Sequence, residues 1–134
     1  MDEEGLTTIK SNFGPTDTMN RLEGEVKARG MTVFAHINHA AGAAAVGLPL
    51  RPNDLLIFGN AKVGTPLMQS APTIGIDLPL KVLVWQDAEG STWLSYNDPA
   101  WLARRHGLDP DAEATVKTLA GALNAVTAAA AGSP

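Results

Sequence analysis

The stretch Leu55–Tyr96, LLIFGNAKVGTPLMQSAPTIGIDLPLKVLVWQDAEGSTWLSY, decides how the chain is read. Asp54–Phe58 is a short apolar run of the kind found in central strands. Leu80–Gln86 alternates, with Val82 and Val84 on one face and Leu83 and Trp85 on the other. Asp87-Ala-Glu-Gly90 reads as a hairpin turn that returns the chain through Ser91–Tyr96. Between the first two strands lies a loop with Gly59, Asn60, Lys62, Gly64 and Thr65 within seven residues. Gly and Asn tolerate unusual backbone angles, and Lys and Thr supply donors, so the loop reads as a place where a ligand or partner is met. Pro66–Ser70 can begin a helical turn, with Thr65 as its cap and Pro66 at the first position. Thr73–Leu78 carries no decisive pattern.

Outward from this segment, Leu6–Lys10 reads as a first strand. A helix follows Pro15, with Thr16 as cap, an apolar stripe of Met19, Leu22 and Val26, and Gly30 as its stop. Gly24 inside that helix suggests close packing on a sheet. In Met31–Asn38 the alternation puts Met31, Val33, Ala35 and Ile37 on the core face and Thr32, Phe34, His36 and Asn38 opposite. His39–Val46 is a run of small residues, read as a short helix or tight turn that lets a backbone or ligand approach closely. Asp98-Pro99 opens a helix closed by Gly107, and Asp109-Pro110-Asp111 repeats the start signal. Val116, Leu119, Ala120, Leu123, Val126 and Ala130 then mark one stripe of a long Ala-rich final helix. The tail from Gly132 reads as frayed.

The expected architecture is a single α+β domain over residues 1–134, with an ordered core at about 5–128. Its mostly antiparallel sheet would carry helices on one face. Phe34, Leu83 and Trp85 would then populate the opposite face, which points to a homodimer interface.

With 45% apolar residues the chain can bury one core. A net charge of −4 argues against a nucleic-acid-binding face. The basic run Arg104-Arg105-His106 falls near a helix end, where cations suit the dipole. The absence of cysteine excludes disulfides, thiolate nucleophiles and cysteine-held metals. No apolar run is long enough for a membrane span. The amino terminus lacks a signal-peptide pattern, so a cytoplasmic location is expected as the chain stands, or export if an upstream signal was removed.

The order of elements and the phrases VFAHINHAAGA, LLIFGNAKVGTPLM, IDLPLKVLVW and LSYNDP resemble the domain-of-unknown-function 302 family, from about Leu6 to Leu123. The resemblance implies a β-α-β4-α domain grouped with TATA-binding-protein-like folds, often dimeric, with no established reaction. Ala61 stands where the family pattern usually has proline. By motif match the family's recurrent polar positions fall on His39, Asn60, Lys62, Thr65, Asp77, Lys81 and Tyr96, which are the expected ligand-binding residues.

No catalytic motif names a reaction. The Gly59–Thr65 loop lacks the lysine between second glycine and hydroxyl that a Walker loop requires. It reads as a structural turn, or as an anion site built from loop amides and Lys62. His36 and His39 lack a third ligand nearby, so no metal or cofactor is expected. The leading expectation is a homodimeric binding or sensor-like domain with a pocket around His39, Asn60 and Lys62, holding a small anionic or apolar-tailed ligand. The alternatives are an enzyme with His39 as general base and Lys62 as electrostatic stabiliser, and a protein-interaction module.

Overall fold

The computed structural model describes residues 4–132. Five strands, β1 (Leu6–Lys10), β2 (Thr32–Asn38), β3 (Asn53–Gly59), β4 (Leu80–Gln86) and β5 (Thr92–Asn97), form one antiparallel sheet in the order β1-β5-β4-β3-β2. The helices are α1 (Pro15–Ala28), α2 (His39–Ala45), α3 (Ala61–Ser70), α4 (Pro99–His106) and α5 (Glu113–Ala131), with short 3-10 turns at Pro72–Ile76 and Pro110–Ala112. The class is α+β, as expected.

One face of the sheet is dry. Leu56 and Phe58 of β3, Val82 and Val84 of β4 and Leu94 of β5 lie under Met19, Leu22 and Val26 of α1 and Leu123, Val126 and Ala130 of α5. Burying each of these side chains contributes about 1.5–3 kcal/mol, and their alternation fixes the register, because a one-residue slip would turn them to water. A smaller core of Leu67, Ile74, Leu102 and Val116 forms where α3, α4 and the start of α5 meet. Leu78 and Leu119 pack against both clusters.

Strand β2 departs from simple alternation. Val33 pairs with Phe58, but Ala35 pairs with Ile57, so the register shifts at Phe34. The bulge inserts one residue and reverses the phase beyond it. Val33 keeps the helix-covered face, whereas Ala35 and Ile37 sit opposite Ile57 and Leu55 on the other face, which corrects the single core face read from the sequence. His36 consequently shares the phase of Leu56, at the margin of the helical layer, where its Nε2 lies 2.7 Å from Asp54 Oδ2.

Three further expectations need correction. Helix α1 starts at Pro15, with Gly14 as cap, so Thr16 is already helical; the fixed φ of proline suits the first position. Gly24 meets nothing within 4 Å and is exposed, so packing does not require its missing side chain. Helix α3 starts at Ala61, not after Thr65, and encloses Pro66. The Asn60 side chain accepts from the Lys62 N–H at 2.9 Å and nucleates the helix earlier than the proline suggested. The fray expected from Gly132 does not begin there, since Gly132 closes α5 in a left-handed cap with its N–H donating to the Ala129 carbonyl at 3.2 Å; the rest of that expected tail lies outside the described residues.

The β4–β5 hairpin is pinned by one carboxylate. Asp87 accepts from Trp93 Nε1 at 2.8 Å and from the N–H groups of Glu89 and Ser91 at 3.0 and 2.9 Å. Trp85 and Trp93 stack across the strands at 6.2 Å. The Trp93 bond, with the two backbone donors, holds the Asp87 pKa below its ordinary value. A depressed folded-state pKa contributes stability that is present above the unfolded pKa of about 3.9 and is lost as pH falls through the folded value. Urea midpoints followed from about pH 6 to pH 3 should therefore fall less in Asp87→Asn than in the wild type. A second prediction concerns two glycines with positive φ. Gly30→Ala should lose roughly 1 kcal/mol from backbone strain alone. Gly132→Ala should lose more, because its Cβ would stand 2.7 Å from Phe13 Cε2; urea melts compare them directly.

Candidate functional site

A cleft of about 570 Å³ opens where the two apolar clusters fail to close on each other. Its walls come from the carboxyl end of α1 and the entry to β2 (Met31, Phe34), the first turns of α3, the Leu78–Leu80 segment, and α5 (Thr118, Leu119, Ala122). The volume falls in the range of small-molecule sites, and the lining is largely apolar with few polar groups, as such sites are. Asn60 and Thr65 both line it, so this part of the sequence-marked loop is at the cleft.

Local chemistry places these groups. Strand β3 ends in Gly59, where an added Cβ would stand 3.4 Å from Pro79 Cβ and 3.8 Å from the Phe34 ring, so glycine lets β3, β4 and Phe34 converge. Asn60 then turns the chain into α3. The same device ends β2, where Asn38 accepts from the Ala41 N–H at 2.9 Å and starts α2. Gly64 faces Leu78 across the cleft, with space for ordinary contact.

The other expected residues scatter. Lys62 is exposed on the outer side of α3 and is not among the cleft residues. His39 opens α2 at the far end of the β2–β3 pair, since Asn38 pairs with Asp54 while Thr32 pairs with Gly59. The length of β3, roughly 20 Å at strand rise, therefore separates His39 from Asn60 and Lys62 within one chain. The expected single pocket of these three residues does not form there, nor does the His39–Lys62 catalytic pair. The reading failed because strand phase was carried through the bulge and because the two Asn-capped turns lie at opposite ends of the hairpin. Tyr96 belongs to the main core, where burial raises its pKa against the pull of the Thr7 and Thr127 hydroxyls.

Lys81 lies on the opposite sheet face, beside Leu55, Leu83 and Trp85. Its Nζ donates to the backbone carbonyls of Asp77 and Pro79, both at 3.2 Å. Burial lowers its pKa, and the Asp77 charge partly restores it.

Asp77 acts on the cleft from behind. Its Oδ2 lies 2.5 Å from His106 Nε2 and accepts from Arg105 Nη1 at 3.0 Å, while His106 Nδ1 meets Thr73 Oγ1 at 2.9 Å. The His106 side chain is only 6% exposed. This chain ties the end of α4 to the 3-10 turn and fixes Leu78 and Pro79, the next two residues, which wall the cleft. The basic run at the end of α4 thus holds a structural clamp that sequence spacing did not show, because its carboxylate is 29 residues away. Among the described residues, no group of three or more His, Cys, Asp or Glu side chains is placed to hold a metal ion. Asp77→Ala should lose about 1–3 kcal/mol, since it leaves the buried His106 without its acceptor. Arg105→Ala, at a half-exposed position, should lose under about 1 kcal/mol in the same urea melts.

The family model described as "Domain of unknown function DUF302" matches residues 7–126. A protein named Fluoride-specific ion channel FluC 1 from Brucella suis biovar 1 (strain 1330) is 44% identical over 130 residues, 97% of this chain and 51% of that protein. Fluoride-specific ion channel FluC 2 from Brucella melitensis biotype 1 (strain ATCC 23456) is likewise 44% identical over 130 residues, covering 97% and 48%. The chain spans about half the length of these curated relatives. No helix among the described residues is long and apolar enough to cross a membrane. The crystal structure of an uncharacterized conserved protein DUF302 from Bacillus stearothermophilus superposes with a TM-score of 0.82 at 22% identity, covering 93% of this chain and 97% of that one, and shares its fold. With nearly the whole chain matched by the family model, and the same fold in the solved relative, this chain belongs to the DUF302 family.

Proposed function

We propose that the chain is a small-molecule-binding domain that works as a homodimer, and that its ligand enters the cleft between α3, α5 and the Leu78–Leu80 segment. The observation that carries the reading is the cleft itself: a preformed, mainly apolar cavity of about 570 Å³ bordered by the glycine- and asparagine-containing turn after β3. An apolar ligand gains on the order of 25 cal/mol for each Å² it removes from water there.

The dimer rests on separate features. Helix α2 buries none of its residues, and the loop after it exposes Val46 at 72% and Leu48 at 62%. Ile37 is exposed in the adjacent strand. Such an apolar arm and strand gain by packing on a second copy, and the small side chains of α2 allow close approach. The fluoride-channel name belongs to proteins whose other half this chain does not match. A role beside a membrane partner in such proteins is a secondary reading, favoured by that shared length alone.

Native mass spectrometry of untagged protein should show a dimer, and Val46→Asp with Leu48→Asp should give a monomer. A monomeric wild type removes the dimer. For the cleft, the fluorescence of anilinonaphthalene sulfonate bound to the folded protein should fall in Ala122→Trp, which fills the cavity from α5. Unchanged fluorescence in a folded variant would place the probe elsewhere and count against the cleft.

A further inference from the structure

The cleft has a charge pattern as well as a shape. Apart from Asn60, Thr65 and Thr118, its polar lining is a single side chain, Arg29, at the carboxyl cap of α1; no Asp or Glu side chain lines it. Arg29 is exposed, and among the described residues its guanidinium takes part in none of the ion pairs, which use Glu23, Asp54, Asp77 and Glu113. Deeper walls are Met31, Leu78, Leu80 and Leu119, without a charged group. The site is therefore amphiphilic: one cation with a planar donor fork beside a mainly apolar wall. A guanidinium fits a carboxylate through two parallel N–H···O bonds, and an alkyl chain suits the remaining walls.

We infer that the cleft binds a straight-chain aliphatic monocarboxylate, with its carboxylate on Arg29 and its tail among Met31, Leu78, Leu80 and Leu119. This rests on the cleft reading above and adds the chemistry of the ligand. An anionic head is favoured because no carboxylate side chain opposes it. An aliphatic tail is favoured because Met31, Leu78, Leu80 and Leu119 offer it only apolar side chains, while the hydroxyls of Thr65 and Thr118 and the Asn60 amide are on exposed residues. Chain length sets affinity: each methylene buried adds roughly a fourfold gain, so octanoate should bind about 15-fold more tightly than hexanoate.

The test is isothermal titration of the intact chain with octanoate, hexanoate and 1-octanol, repeated with Arg29→Gln and Ala122→Trp. Arg29 is exposed at a helix cap, so its substitution leaves the core intact. The expected result is octanoate tighter than both hexanoate and 1-octanol in the wild type. Arg29→Gln should abolish the preference for octanoate over octanol while octanol affinity stays unchanged, and Ala122→Trp should abolish both. If 1-octanol binds the wild type as tightly as octanoate, or Arg29→Gln keeps the preference, the carboxylate assignment is overturned while the cleft stands. If octanoate and octanol bind Ala122→Trp as well as wild type, the cleft itself is overturned. If neither compound binds the wild type, the aliphatic carboxylate is excluded, and the anilinonaphthalene sulfonate result decides separately whether the cleft takes any apolar molecule.

Discussion

Everything in this fold follows from covering one face of a five-stranded sheet with two helices. Leu56, Phe58, Val82, Val84 and Leu94 meet α1 and α5 and lose all or nearly all contact with water. An antiparallel sheet can leave its other face wet, so nothing compels a second layer. That asymmetry sends the long connections to the helical side or to the strand ends. It also leaves Leu55, Leu83 and Trp85 half-buried on the opposite face.

The cleft is a consequence of the same asymmetry. Helices α1 and α5 pack closely over the middle of the sheet, while α3, α4 and the 3-10 turn build a second, smaller core beside it. Leu78 and Leu119 belong to the border of both. Two cores that share a border without merging leave a cavity, and its walls stay put only if the border segment is held. The Asp77–His106–Thr73 chain does that from the solvent side, with Arg105 adding a second bond to the carboxylate. Interactions of this kind contribute most where a buried partner would otherwise be left unsatisfied, which is the situation of His106.

The bulge at Phe34 shows how a single residue redirects the side chains that follow it. Without it, Ala35 and Ile37 would follow Val33 toward the helices, as simple alternation has it. With it, Ile37 joins Leu55 on the opposite face. Phe34 itself stays 54% exposed at the cleft, against Gly59. Because β2 and β3 are antiparallel, the α2 arm and the cleft lie at opposite ends of one hairpin. His39 and Asn60, expected around one pocket, end up roughly a strand length apart.

What the sequence by itself determined is the set of local and periodic features. The hairpin at Asp87–Gly90, the Asp98 and Asp109 caps, the stops at Gly30 and Gly107 and the stripes of α1 and α5 all follow from interactions within a few residues. The family phrases likewise carried the α+β class, and the loop after β3 pointed to Asn60 and Thr65. Only the tertiary structure decided the cleft, the register break in β2, the early start of α3 and the pairing of Asp77 with His106. The reason is physical. Caps and alternation are short-range and leave a signature in spacing, whereas a bulge is chosen by the partner strand. A cavity is the shape left between elements, and an ion pair across 29 residues has no spacing to read.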